Sequence, residues 1–211
     1  MTIDCAAFAR HLPWATLLAV ALGSCTGPPP PPVVDAFNGI YTRSPSSAVP
    51  ADVPMTLGRP VAFITTDNVE HHIGFVKDAN EYWGKVVPTS LTNTAVIADT
   101  DPTYFSARLI AMLRKHWPDI QPVHDFREAV AGGKKGVIVV DLRFKWMEPY
   151  GDRTNKIDVD FYFFDPAMNP VSKLSGHAEY RPPIGALEGH VQKITDEALG
   201  QIDDKISALI R

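Results

Sequence analysis

The chain predicts an α+β fold: a single mixed sheet that ends in a C-terminal three-stranded antiparallel meander and is covered by two main amphipathic helices and one short helix. Three observations predict it. Val137-Ile138-Val139-Val140 is apolar on both faces, as a central strand is, and then alternates through Asp141, Leu142, Arg143, Phe144, Lys145 and Trp146. Two more stretches alternate after it, Ile157 to Phe163 and Val171 to Tyr180, set apart by turns rich in Pro, Gly, Asp and Asn. Last, Leu187, Val191, Ile194, Ala198, Ile202, Ile206 and Leu209 recur every three or four residues, the apolar stripe of a helix that lies on a sheet.

The remaining elements follow in chain order. Residues 60 to 211 suit one domain, a size that buries about 70% of its unfolded surface. Arg59 to Thr65 is a β-branched and aromatic run and opens the domain as a strand. Residues 66 to 100 contain the runs Ile73 to Val76 and Tyr82 to Val87, read as extra strands or an excursion from the fold. Asp101-Pro102 opens a helix, an acidic cap followed by Pro at the first position, with Phe105, Leu109, Met112, Leu113 and Trp117 at helical spacing and Pro118 as the stop. Ile120 to Val123 is a short strand. Asp125 caps the short helix Phe126 to Ala131, which ends at Gly132-Gly133.

The chain has 211 residues, 45% of them hydrophobic and 21% charged, which is an ordinary globular composition. Its net charge of -4 offers no basic excess to release counterions, so a nucleic-acid partner is disfavoured. Arg10 precedes an apolar run from Leu12 to Leu22, too short to span a bilayer, and Gly23 and Ser24 lead into Cys25. Leu22-Gly23-Ser24-Cys25 resembles the lipobox of bacterial lipoproteins, which implies a signal peptide over 1 to 24, acylation of the Cys25 thiol with palmitate-type chains and attachment to a membrane through the lipid. Thr26, rather than Asp, after that cysteine implies the outer membrane, facing the periplasm, by resemblance to the sorting rule of enterobacterial lipoproteins. Cys5 leaves with the signal peptide, so no disulfide and no thiolate chemistry is expected in the mature domain. Residues 25 to 59 read as the lipidated cysteine and a proline-rich tether. Treated as flexible, about 30 such residues have an r.m.s. reach of roughly 30 Å and an extended limit near 90 Å. Val33 to Phe37 and Met55 to Leu57 are apolar enough to dock on the domain.

The order of elements, with Asp125 to Gly133 leading into the strand that ends at Val140, resembles a group of bacterial envelope lipoproteins and domains. The group comprises the curli-export lipoprotein family, the lipoprotein activators of penicillin-binding proteins and the N-terminal domain of the Tol-system translocation protein. The resemblance spans roughly 60 to 211 and implies a non-catalytic binding, assembly or regulatory factor for an envelope protein complex, with no cofactor. It transfers no functional residue and leaves the oligomeric state open. A second reading is a transport auxiliary that carries lipid or a small apolar ligand in a cavity between sheet and helices.

Several side chains are capable of chemistry, and each also has a simpler structural role. His71-His72, beside Glu70 and near Asp67, is the densest metal-capable cluster. Adjacent histidines on an extended chain point to opposite faces, so solvated loop residues are the expectation and no metal site is assigned. Asp158 and Asp160 share one strand face, a geometry open to a cation or to two-carboxylate hydrolysis. Strand alternation accounts for both without function, with Arg143 and Lys145 as cross-strand partners. Ser175-Gly176-His177 lacks an acid orienter, and Gly132 to Gly136 lacks P-loop spacing, so no catalytic residue is assigned. Tyr162, Phe164 and Tyr180 fall out of phase with the core. Left uncovered, they would form the aromatic patch of a partner-binding surface.

Overall fold

A computed structural model describes residues 29–38, 40, 49–86, 101–146, 152–183 and 190–210. The signal segment 1 to 24 and Cys25 lie outside the described residues. The elements run β1 (Val61–Thr65), α1 (Asp67–Val86), α2 (Tyr104–His116), β2 (Gln121–Pro122), α3 (Phe126–Ala131), β3 (Gly136–Lys145), β4 (Asn155–Phe164), β5 (Pro170–Tyr180) and α4 (Val191–Leu209). The fold is α+β with one mixed sheet in the order β2-β1-β3-β4-β5. β1 pairs in parallel with β2 and β3, and β3, β4 and β5 form the antiparallel meander.

Alternation divides the sheet into two apolar faces. Ile138, Val140 and Leu142 of β3, Ile157, Val159, Phe161 and Phe163 of β4, and Leu174 and Ala178 of β5 pack with Val69, Leu109, Leu113, Ala198 and Ile202 of the long helices. This is the main core. On the opposite face Val137, Val139, Tyr162 and Phe164 pack with Phe37 and with Phe126 and Ala129 of α3.

One element differs from expectation. The run 66 to 100 supplies a third long helix, α1, rather than strands. Val69, His72 and Val76 are buried at helical spacing, and their shared stripe lies against the sheet. Asp101 starts α2 less directly than expected: its carboxylate accepts from the Thr103 amide and hydroxyl, both at 2.8 Å, and the helix begins at Tyr104. The cap on α3 is as read, with Asp125 Oδ1 accepting from the Glu128 amide at 2.8 Å. Glu128 reaches back to the His124 amide at 2.7 Å, so two otherwise unmatched donors are satisfied reciprocally.

Described parts of the segment before β1, around Val34 to Phe37 and from Pro50 to Leu57, are built into the molecule. Val34 exchanges two hydrogen bonds of 2.9 Å with the Asn68 side chain, and Phe37 is buried. Farther on, Lys173 of β5 donates its amide to the Pro50 carbonyl and accepts from the Asp52 amide at its own carbonyl. Met55 then meets the end of α4, its amide donating to Leu209, and Leu57 enters the main core. Residues 34 to 38 therefore cover the outer face of the sheet and residues 50 to 57 pass round the β5 edge, and together they form a strap. Gly176 lets α4 press onto that strand, since a Cβ there would sit 2.1 Å from the Ala198 carbonyl oxygen.

Candidate functional site

The polar residues of the outer sheet face come from the same alternation that makes the core. Asp141 and Arg143 on β3, Asp158 and Asp160 on β4, and Lys173, Ser175 and His177 on β5 all lie on the face opposite the main core, where the first turn of α1 reaches Asp141. Register places Asp141 opposite Asp160, Asp160 opposite Ser175, and Asp158 opposite His177.

Asp141 and Asp160 lie under the strap and are almost fully buried. Asp141 Oδ1 accepts from Thr66 Oγ1 at 2.7 Å and from Asn68 Nδ2 at 2.8 Å, the same amide nitrogen that donates to the Val34 carbonyl. Asp160 accepts from Ser175 Oγ at 2.6 Å, Arg143 Nη2 at 2.8 Å and Lys173 Nζ at 2.9 Å. Burial pushes the Asp160 carboxyl up, but the Ser175 hydroxyl, Lys173 and Arg143 outweigh it and hold it below the usual carboxylate range. Arg143 also reaches Asp141 at 3.4 Å, so one guanidinium spans both carboxylates. The Tyr162 phenol, held up by burial and by Asp160 and Asp141, stays protonated at all ordinary pH. Every oxygen-rich corner of this cluster is thus matched by donors, and its chemistry is that of a tie between strap, α1 and sheet.

Beyond the strap the same face is open. Asp158 Oδ1 meets His177 Nδ1 at 2.7 Å, Lys156 meets Glu179 at 2.9 Å, and Lys145 meets Asp152 at 2.7 Å, all with partly or largely exposed side chains. Arg143 serves Asp160 diagonally across the ladder and Lys145 turns to Asp152, so Asp158 takes its ion partner from β5 instead of from Lys145. Among the described residues no group of three or more His, Cys, Asp and Glu side chains is placed to hold a metal ion.

The proposed aromatic patch does not form. Tyr162 and Phe164 are buried, because Phe37 lies edge-on to both at 4.8 and 6.1 Å between ring centres and Phe126 covers Phe164 at 4.8 Å. Tyr180 is on the other side of the sheet. Its position matches that of Ala178 and Leu174, and it packs half-buried against the main core with His190 at 4.4 Å and Lys193 above the ring. The two histidines are also placed differently. On α1 His71 is exposed, while His72 is buried among Phe105, Phe144 and Trp146, stacked on the indole at 5.8 Å.

Asn68 and Phe37, which organise the outer face, carry no motif, and only the apolar character of Val33 to Phe37 hinted at docking. No family model matches the chain, and no curated protein matches it. Among solved structures the chain is similar to a point variant of the PelC dodecamer from Paraburkholderia phytofirmans at 12% identity and a TM-score of 0.38, over 75% of this chain and 95% of that one. A second PelC dodecamer structure from the same organism aligns at 11% identity and a TM-score of 0.35, over 70% and 92%. At these scores the likeness carries no weight for function.

Proposed function

We propose that the chain is a lipid-anchored lipoprotein of the cell envelope, carried at the periplasmic side of the outer membrane, that acts as a non-catalytic binding or assembly factor for an envelope protein complex. The anchor rests on Arg10, the apolar run to Leu22 and Leu22-Gly23-Ser24-Cys25. The observation that carries the binding role is the division of the outer sheet face. The strap roofs the half with the buried carboxylates, and the other half presents Lys145, Lys156, Asp158, His177 and Glu179 as a firm, strand-mounted charged surface, with Asp152 of the β3–β4 connection paired to Lys145. Alternating charges on a rigid sheet suit a partner of complementary pattern, where such pairs set register and specificity.

The test places a photo-crosslinking residue at Glu179 in the full chain and compares the native anchor with Cys25→Ala in intact envelopes. The expected result is palmitate on Cys25 and a discrete envelope protein crosslinked at residue 179 only when the anchor is present. Membrane attachment and crosslinks that are unchanged in Cys25→Ala would defeat the reading.

A further inference from the structure

Residues 34 to 38 of the strap meet the outer sheet face through two kinds of contact that a separate peptide could make equally well. The first is to the backbone. Asn68 Oδ1 accepts from the Val34 amide and Asn68 Nδ2 donates to the Val34 carbonyl, each at 2.9 Å, so one side-chain amide reads both backbone groups of a residue whatever its side chain. Asn68 is itself buried and fixed: its Nδ2 also donates to Asp141 Oδ1 at 2.8 Å, and the same oxygen accepts from Thr66 Oγ1. The second contact is aromatic. Three residues on, Phe37 lies edge-on to Tyr162 and Phe164, in an apolar cluster that Phe126 and Ala129 of α3 complete. The turn between the two contacts is made within the segment, the Asp35 carboxylate accepting from the Phe37 amide at 2.8 Å and the Asp35 carbonyl from the Asn38 amide at 3.0 Å.

We propose that Asn68 and the Tyr162–Phe164 slot form a recognition site for a partner's peptide segment that carries an aromatic side chain three residues after the one whose backbone Asn68 pairs, and that residues 34 to 38 are its resident, displaceable occupant. Main-chain hydrogen bonds supply affinity and the aromatic slot supplies selection, the division that peptide-recognition surfaces use. The strap shows what the site takes, because its own fit is the one on display. It also keeps the site closed. An occupant tied through residues 39 to 49 competes at an effective concentration in the millimolar range, so a partner's segment enters only by binding more tightly or when the strap is drawn off. The site shares no residue with the charged half of the sheet face and needs no anchor, so its failure leaves the function proposed above untouched.

Fluorescence anisotropy of a labelled peptide of residues 29 to 40, titrated with the full chain, tests it. Phe37→Ala in the chain should open the site and bind the peptide about ten-fold or more tighter than the native chain, whose own strap competes. Val34→Pro, which keeps Phe37 and removes only the amide donor, should open it by about five-fold, the worth of one hydrogen bond, and it carries the comparison if Phe37→Ala does not fold. Two altered peptides probe the contacts without touching the fold: N-methylation at Val34, and Phe37→Ala in the peptide, should each weaken binding to the opened chain about five-fold or more. Folded strap variants that do not bind the peptide saturably, equal affinity for native and variant chains, or an N-methylated peptide that binds as tightly as its parent would overturn the proposal and leave the strap a fixed part of the core.

Discussion

Position 72 buries an imidazole 7% exposed between Phe144 and Trp146, with Nδ1 facing no hydrogen-bond partner among the described residues. Burial lowers its pKa from 6.5 to about 4, so the folded state holds it neutral where the unfolded chain would already be charged. The unfolded chain therefore binds more protons between those values, and stability falls as pH drops from about 6.5 through about 4. Going from about pH 7.5 to about pH 5, native His72 should remove roughly 2 kcal/mol that His72→Phe retains, measured by urea unfolding at both pH values. Equal pH dependence in the two proteins would show that the ring is protonated in the fold. The sequence shows two adjacent histidines beside acids, and nothing in that pair separates a solvated imidazole from a buried one. The difference is decided by which side of α1 faces the sheet, and hence by recognising the helix first.

The outer edge of β5 is closed by side chains and strap. Lys173 bonds to residues 50 and 52 of the strap, the Ser175 carbonyl accepts from Lys205 Nζ at 2.9 Å, and Gln201 caps both backbone groups of His177, donating to its carbonyl at 2.8 Å and accepting from its amide at 3.0 Å. An edge so occupied offers no ladder to a second chain. Gln201→Ala should cost about 1 kcal/mol and raise concentration-dependent self-association, read by unfolding and by sedimentation velocity. Sedimentation identical to the native protein at every concentration would sink the edge-cap reading. The meander and α4 were legible because each repeats its own period over seven or more residues, as Ile157 to Phe163 and Val191 to Leu209 do. In α1 one of the stripe positions is a histidine, and the short runs Ile73 to Val76 and Tyr82 to Val87 look like strand pieces, so the helical period is hidden. The Gln201 cap joins two elements and leaves no local pattern at all.

At the scale of the molecule, two apolar layers share one sheet, a large one under α1, α2 and α4 and a small one that the strap completes through Phe37. Phe37→Ala should destabilise by about 3 kcal/mol or more and uncover Tyr162 and Phe164, raising the fluorescence of an apolar dye in the folded state. An unchanged denaturation midpoint would mean that the strap is an ornament on the fold. The layering was legible from alternation in β3 and β4, while the identity of the second cover was not, because Phe37 meets Tyr162 and Phe164 across more than a hundred residues of chain and from within a stretch whose prolines read as linker. The two carboxylates on β4 were placed correctly on one face, yet Asp160 became a structural tie once the strap roofed it.

The grip of Asn68 on Val34 also sets a distance. Val34 stands nine positions after Cys25, and nine residues at full stretch reach about 30 Å. With the acylation proposed at Cys25, the domain rides on a short mooring, at about a third of the height that a chain free to residue 59 would allow. Its partner must then come down to the bilayer surface to be met, and lengthening residues 26 to 33 changes which depth of the periplasm the protein can patrol.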